Sequence, residues 1–308
     1  MKVLIQNYTT NSTTEPLYIN ECINSIEGCE ATVWDKDNIS AYDMFDVAKP
    51  DLFITHFSLL TEDTIKYLSQ NNHISAIFNI TMAQQEHVDQ LNNLISENKI
   101  QCPFVFTNQP KTLNRLVSHP TKLVSIMHGA DIFLPQQGNN MPQYEIKLGI
   151  MSNYKLDKTF DALVENFDSY HYLTQRAEIS SDFDLTFSEM QMHSLWNNYK
   201  NMVITMDSSY LPQSFFDAIV YGNSVFYCPK YESQREEMNS KIQSILGISE
   251  SLSCKFEHIV SGQNQEYIKK TVLNRHTCIH RVKRMFSQLK HSEIEKSLSQ
   301  MAEGIKIQ

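Results

Sequence analysis

Short apolar runs recur along the first half of the chain, each bounded by polar or helix-breaking positions. Lys2 to Gln6 reads as a buried strand, followed by a polar loop from Asn7 to Thr14. A helix opens near Glu15-Pro16, where proline suits a first helical turn. Ala31 to Trp34 is the next strand, and Asp51 to His56, after the Lys49-Pro50 break, is a third. Ser75 to Ile80 and Phe104 to Thr107 continue the series, with an amphipathic helix from about Gln84 to Glu97 between them. Strands alternating with helices at this spacing predict a parallel sheet covered on both faces. Leu123 to Met127 closes the series, and Gln136 to Gln143 has the composition of a linker.

The second half restarts the same pattern. Ile146 to Met151, Tyr170 to Leu173, Met202 to Met206 and Ser224 to Tyr227 read as strands. Lys158 to Asn166, Phe187 to Tyr199 and Gln213 to Tyr221 read as helices, and the chain from about Asn264 onward is mainly helical. The expected fold class is α/β, with two Rossmann-like domains facing across a cleft. The boundaries fall at 1–135 and 136–308, with the last helix able to cross back to the first domain.

The length of 308 residues suits two domains of about 150 residues each. With 41% hydrophobic and 20% charged residues there is apolar material for two cores, which excludes a chain dominated by disorder. A net charge of -9 argues against non-specific coating of nucleic acid, which needs a concentrated basic face. Local basic material exists at Lys111, Arg115, Lys122, Arg275, Arg281, Lys283 and Arg284. The N-terminus turns polar before a signal-peptide core could form, and no stretch is long and apolar enough to span a bilayer, so a cytoplasmic protein without integral membrane association is expected. The six cysteines form no CxxC pair, which fits reduced, non-metal roles. Oligomeric state is not legible.

The segment from Met206 to Tyr227 carries the most chemistry. A strand ends in the polar loop Asp207-Ser208-Ser209-Tyr210, a helix begins at Pro212 or Gln213, Asp217 follows about one turn in, and Gly222 closes the helix. Such a helix start aims backbone N–H groups and the positive end of its dipole at a ligand, which suits a diphosphate. Asp217 would then accept hydrogen bonds from ribose hydroxyls. The plainer alternative is an ordinary helix with Asp217 solvated.

Pro212, Phe216, Asp217, Ala218 and Gly222 resemble the donor-binding motif of group 1 glycosyltransferases, in particular their CgeB-like branch. Val272 to Val282 resembles the C-terminal His-Thr-Tyr-x-x-Arg segment of that branch, and His128-Gly129-Ala130-Asp131, running to Pro135, resembles its interdomain segment. The resemblance implies a GT-B architecture, with the acceptor on the N-terminal domain and the nucleotide-sugar on the C-terminal one. Retaining relatives have two glutamates eight residues apart; Ser209 and Asp217 stand at those positions here, which points to an inverting mechanism. Asn223 and Cys278 replace the proline and aromatic residue of the family pattern.

Ligands of open α/β sheets bind beyond the carboxyl ends of the strands. On that ground the expected donor contacts are Ser152, Asn153, Tyr154, Lys158, Thr174 and Gln175, together with Ser208, Ser209, Tyr210, Leu211, Pro212, Gln213 and Asp217. His128 and Arg281 are expected to serve either the diphosphate or the structure. An inverting transfer needs a base for the acceptor hydroxyl. His56, at a strand end, is the first candidate and Asp35 the second, with Glu86 and His87 weaker. His276 and His280 share a helical face but lack a third metal ligand, and Asp182-Phe183-Asp184 reads as a helix-entry loop, so no metal site is expected. Dinucleotide and ATPase glycine loops and Gly-x-Ser-x-Gly are absent from the sequence.

The expected function is transfer of a sugar from a nucleoside diphosphate donor, such as a UDP-sugar, to the hydroxyl of a surface glycan or of hydroxymethylated phage DNA, with no further cofactor. The alternative is a non-catalytic GT-B-like protein that binds a nucleotide or a glycan.

Overall fold

The computed structural model describes residues 1–8, 14–35, 37–80, 85–107, 122–133, 148–151, 170–174, 185–186, 201–206, 211–221, 224–229, 232–247, 257–258 and 264–305. The chain divides into two compact units. The first comprises chiefly Met1–Thr9, Thr14–Met127 and Cys278–Gly304, and the second chiefly His128–Thr277.

In the first unit six parallel strands are ordered β2-β1-β3-β4-β5-β6. They are β1 (Lys2–Gln6), β2 (Glu30–Trp34), β3 (Leu52–His56), β4 (Ser75–Asn79), β5 (Val105–Thr107) and β6 (Leu123–Ser125). Between them run α1 (Glu15–Asn24), α2 (Ala41–Ala48), α3 (Glu62–Gln70) and α4 (Gln85–Glu97). The local signals explain the starts and stops. Pro16 occupies the first turn of α1. The side chains of Ser40 and Thr61 accept the amides of Asp43 and Thr64 at the starts of α2 and α3. Lys49 ends α2 in the left-handed conformation at φ 44°.

Side chains alternate across the pleat. Leu4, Phe53, Ala76, Phe78 and Val105 join one core with Met44 and Phe45 of α2, Leu68 of α3, and Val88 and Leu91 of α4. The intervening Val3, Ile5, Ile54, Ile77 and Phe106 are equally buried on the opposite face. There α8 (Cys278–Gln288) packs against α1 and sets Arg281 over the ring of Phe106, 5.6 Å from its centroid. The C-terminal helices α8 and α9 (Ser292–Ile305) thus belong chiefly to the N-terminal unit, whose main segment ends at Met127. Burial of Val282, Met285 and Phe286 on α8, each worth about 1.5–3 kcal/mol, drives that return.

In the second unit the sheet order is β12-β11-β10-β7-β8-β9. The strands are β7 (Leu148–Met151), β8 (Tyr170–Thr174), β9 (Leu185–Thr186), β10 (Asn201–Met206), β11 (Ser224–Pro229) and β12 (Glu257–His258). All pairings are parallel except that of β12, an antiparallel edge strand that the sequence reading did not expect. Helix α5 (Gln213–Val220) packs on β10 and β11, and α7 (Asn264–Arg275) packs on α5 and on α6 (Arg235–Leu246). The helices expected at 158–166 and 187–199 lie outside the described residues.

Candidate functional site

In the second unit, β7 is followed on one side by β8 and β9, whereas β10 and β11 lie on the other. The chain direction through the sheet therefore switches between β7 and β10, and the crevice of an open α/β sheet lies beyond the carboxyl ends of those two strands. The loops that leave them are the ones in which the sequence places Ser152, Asn153, Tyr154 and Lys158, and Ser208, Ser209 and Tyr210. These seven residues lie outside the described ones, as does Gln175. Thr174 ends β8, the neighbouring strand.

Leu211 and Pro212 lead from β10 into α5. Leu211 is buried and anchors the turn; Pro212 is the N-cap, in extended conformation at φ -70° and ψ 158°, and supplies no side-chain cap. The amides of the first turn are thus left without the side-chain acceptor that Ser or Asp at this position would give. Phe215, Phe216, Ala218 and Ile219 are fully buried and fix the helix on the sheet.

Asp217 has other partners than the ribose hydroxyls expected for it. It is only 2% exposed, and its Oδ1 accepts the backbone amide of Asp131 at 2.7 Å. Gln213, one turn earlier and also buried, donates from Nε2 to Oδ2 at 3.4 Å. The Tyr221 hydroxyl donates to the Asp131 carbonyl at 2.7 Å, so the middle and the C-terminal end of α5 grip the same residue. Next to it, the Ala130 amide donates to the His276 carbonyl at 2.8 Å, and Ala130 and Thr277 form a parallel bridge. Gly129 has to be glycine: a Cβ there would lie 2.5 Å from the Thr277 carbonyl oxygen. His276 stacks on Phe216 at 5.7 Å and donates from Nε2 to the Ile245 carbonyl at 3.2 Å. Three segments far apart in sequence, His128 to Asp131, Pro212 to Tyr221 and His276-Thr277, therefore meet around one buried carboxylate. His128 is buried as well.

Arg281 lies in the core of the first unit. Its guanidinium is buried in the first unit, paired with Glu15 and donating from Nη1 to the Ile126 carbonyl. Burial alone would lower its pKa; Glu15, Tyr18 and Tyr8 outweigh that and raise it. Glu15 also receives the Tyr18 hydroxyl at 3.3 Å and Asn79 Nδ2 at 2.9 Å. The sequence reading missed this network of Tyr8, Glu15, Tyr18, Asn79 and Arg281. The polar residue closing the apolar strand Ser75–Asn79 was the legible sign of it.

The first unit has its own switch point, between β1 and β3. His56 ends β3 there, 6.1 Å from the Tyr8 ring. Its Nδ1 accepts the Ser58 amide at 3.2 Å and meets Ser58 Oγ at 2.7 Å, which places the imidazole proton on Nε2. Burial, and after it the neighbouring His87, lower its pKa to about 4. Asp35 is exposed at the end of β2, where its Oδ1 accepts the Asp37 amide in a tight turn. β1 separates β2 from β3, which puts the ends of those strands about 10 Å apart, so Asp35 and His56 form no dyad. Among the described residues no group of three or more His, Cys, Asp or Glu could hold a metal ion, and no helix is long and apolar enough to cross a membrane. Cys22, Cys29, Cys102 and Cys278 are free thiols.

No family model matches the chain, and no curated protein matches it. Solved structures do. Anabaena HepE, crystallised with UDP and glucose, aligns with a TM-score of 0.55 at 11% identity over 94% of this chain and 99% of its own. The DNA-modifying enzyme β-glucosyltransferase aligns with a TM-score of 0.48 at 13% identity, over 100% of this chain and 98% of its own. S. aureus MnaA, solved with UDP, gives 0.46 at 8% identity, over 97% and 91%. The likeness to HepE is one of fold: the chain is built of two Rossmann-like α/β units of the GT-B kind.

Proposed function

We propose that this protein is a glycosyltransferase that moves a sugar from a nucleoside diphosphate donor to an acceptor hydroxyl, by an inverting route that needs no metal. The observation that carries the reading is the placement of the α5 N-terminus. It follows β10 at the switch point of the second unit, with a proline N-cap that supplies no side-chain acceptor to the first turn. The dipole of α5, whose start is formed by Leu211, Pro212 and Gln213, would stabilise the departing diphosphate, assisted by Lys158 and the loop residues Ser152, Asn153, Tyr154, Ser208, Ser209 and Tyr210. Thr174 and Gln175 would meet the base. Ser209 offers no carboxylate of the kind that retaining relatives use.

In this reading the acceptor lies with the first unit, at the ends of β1 and β3. Surface glycan and hydroxymethylated DNA are the acceptor classes to test. The CgeB-like branch supplies the motif resemblance, and a UDP-sugar is the first donor to try. The reading is tested by incubating the full chain with a panel of nucleoside diphosphate sugars and measuring diphosphate release, with and without acceptor. Release from one sugar nucleotide, accelerated by an acceptor, is the expected result. No release from any donor would sink it.

A second reading, a non-catalytic nucleotide- or glycan-binding protein, is favoured by one observation. The Nδ1 lone pair of His56 is already occupied by the Ser58 amide, so the histidine is set up to donate rather than to accept a proton. Selective nucleotide binding with no release would support this second reading over the first.

A further inference from the structure

The charges of the chain are unevenly spread. In a sequence with 35 acidic residues among 308, no Asp or Glu occurs between Glu97 and Asp131, nor between Glu266 and Glu293. Lys111, Arg115 and Lys122 lie in the first of these acid-free stretches, and Arg275, Arg281, Lys283 and Arg284 in the second. The first unit brings parts of the two together. β6, from the first stretch, is the edge strand of its sheet. Arg281 of α8 donates to the Ile126 carbonyl just past the end of β6, and Lys122 Nζ, just before its start, donates to Gln288 Oε1 at the other end of α8. The helix therefore runs antiparallel along that edge.

Arg281, Val282, Met285 and Phe286 are the buried side of α8. At 3.6 residues per turn the opposite side carries His280, Lys283, Arg284 and Ser287, all at least partly exposed. Lys122, exposed beside Gln288, extends this face by one turn beyond Arg284, about 6 Å along the axis. Among the described residues no carboxylate pairs with Lys122, Lys283 or Arg284. The first acid past α8 is Glu293, in the first turn of α9.

A strip of cations binds a polyanion by releasing its condensed counterions. An anionic bilayer would be gripped by apolar side chains beside the cations as well. Here the apolar side of α8 is taken up by the core, and the exposed large hydrophobics Leu17, Ile39, Val47 and Tyr267 lie on neither α8 nor β6. A wholly polar strip fits a phosphodiester backbone, which is held by charge and hydrogen-bond donors alone.

We propose that the outer face of α8, together with Lys122, binds the phosphodiester backbone of a nucleic acid through Lys122, Lys283 and Arg284. That this nucleic acid is the hydroxyl acceptor rests on the transferase reading; the binding itself does not.

The test is fluorescence anisotropy of a labelled mixed-sequence DNA duplex titrated with the full chain, without any donor. Three phosphate contacts predict that affinity falls by about 40-fold between 50 and 200 mM salt. Lys283→Gln/Arg284→Gln is expected to weaken binding at least about tenfold at 50 mM salt and to lower the slope of log K against log salt by about 2. Lys2→Gln/Lys66→Gln removes the same charge from exposed positions on β1 and α3, away from α8, and is expected to cost less than about threefold. No binding, an unchanged α8 variant, or an equal loss in the two variants overturns the proposal. So does binding to phosphatidylserine vesicles that needs Lys283 and Arg284 while the duplex stays unbound, which would assign the face to a membrane. No readout involves a sugar nucleotide, so failure here is distinct from failure of the transferase reading.

Discussion

The backbone amide of Asp131 donates to the carboxylate of Asp217 across 86 residues of sequence, at 2.7 Å. Both residues are 2% exposed. This bond ties the strap from His128 to Phe133 onto the middle of the helix that follows β10. Asp217→Ala leaves a buried amide unsatisfied and is expected to lower stability by about 2–3 kcal/mol. Asp217→Asn keeps an acceptor for the amide and is expected to lose about 1 kcal/mol. Urea unfolding checks both. Nucleotide affinity of Asp217→Asn is expected to stay within about threefold of wild type; a loss of tenfold or more, about 1.4 kcal/mol, would return Asp217 to the ribose.

Gly129→Ala should be more damaging than its small volume suggests. The added methyl would meet backbone, at 2.5 Å from the Thr277 oxygen and 2.8 Å from the His276 oxygen, so no side chain can step aside. A loss of at least about 1–3 kcal/mol is expected in denaturant unfolding. Gly304→Ala, with nothing within 4 Å of its added carbon and a place near the end of α9, is the control and should be neutral to stabilising by up to about 1 kcal/mol.

Arg281 and Glu15 test the assignment of the C-terminal helices to the N-terminal unit. Arg281→Met strands a buried carboxylate and is expected to lower stability by about 3–5 kcal/mol. The double variant Glu15→Gln/Arg281→Met removes that charge while keeping an acceptor for Tyr18 and Asn79, and should recover at least half of the loss. Equal losses in the single and double variants would show that the charge pair is not what holds α8.

His56 gives a pH signature. Its unfolded form takes up a proton near pH 6.5, and its folded form only near 4. Above pH 6.5 both states are neutral and nothing changes. As pH falls from 6.5 toward 4 the unfolded state binds more proton, so stability drops by up to about 3 kcal/mol. Urea unfolding of wild type and His56→Gln at pH 7.5, 6 and 5 isolates this slope. The variant should lose less stability than the wild type on acidification.

The strands were legible because buried parallel strands are near-continuous apolar runs between breakers, as in Lys2–Gln6 and Leu52–His56. Helices α2 and α3 were passed over although their signals were present: Ser40 with Asp43, and Thr61 with Glu62 and Asp63. Their short length hides the periodicity that marks α4. The sequence allowed the last helix to cross back, but the return of α8 with it was not legible, because the pattern of α8 shows which face is buried and not what buries it. The Arg281–Glu15 contact joins positions 266 residues apart. For the same reason Asp217 read as a ligand-facing acid. Its spacing from Pro212 fits that role, and only the three-dimensional position of Asp131 shows that the carboxylate also holds a backbone amide. The motif resemblances nevertheless picked out segments that do converge in space.

The central claim is that the second unit binds a nucleoside diphosphate at the start of α5. Calorimetric titration of the full chain with UDP, GDP, ADP, CDP and dTDP tests it most directly. One nucleotide bound at least about tenfold more tightly than the others is the expected result. Absence of binding by all five would contradict the claim, and with it both the transferase and the nucleotide-binding readings.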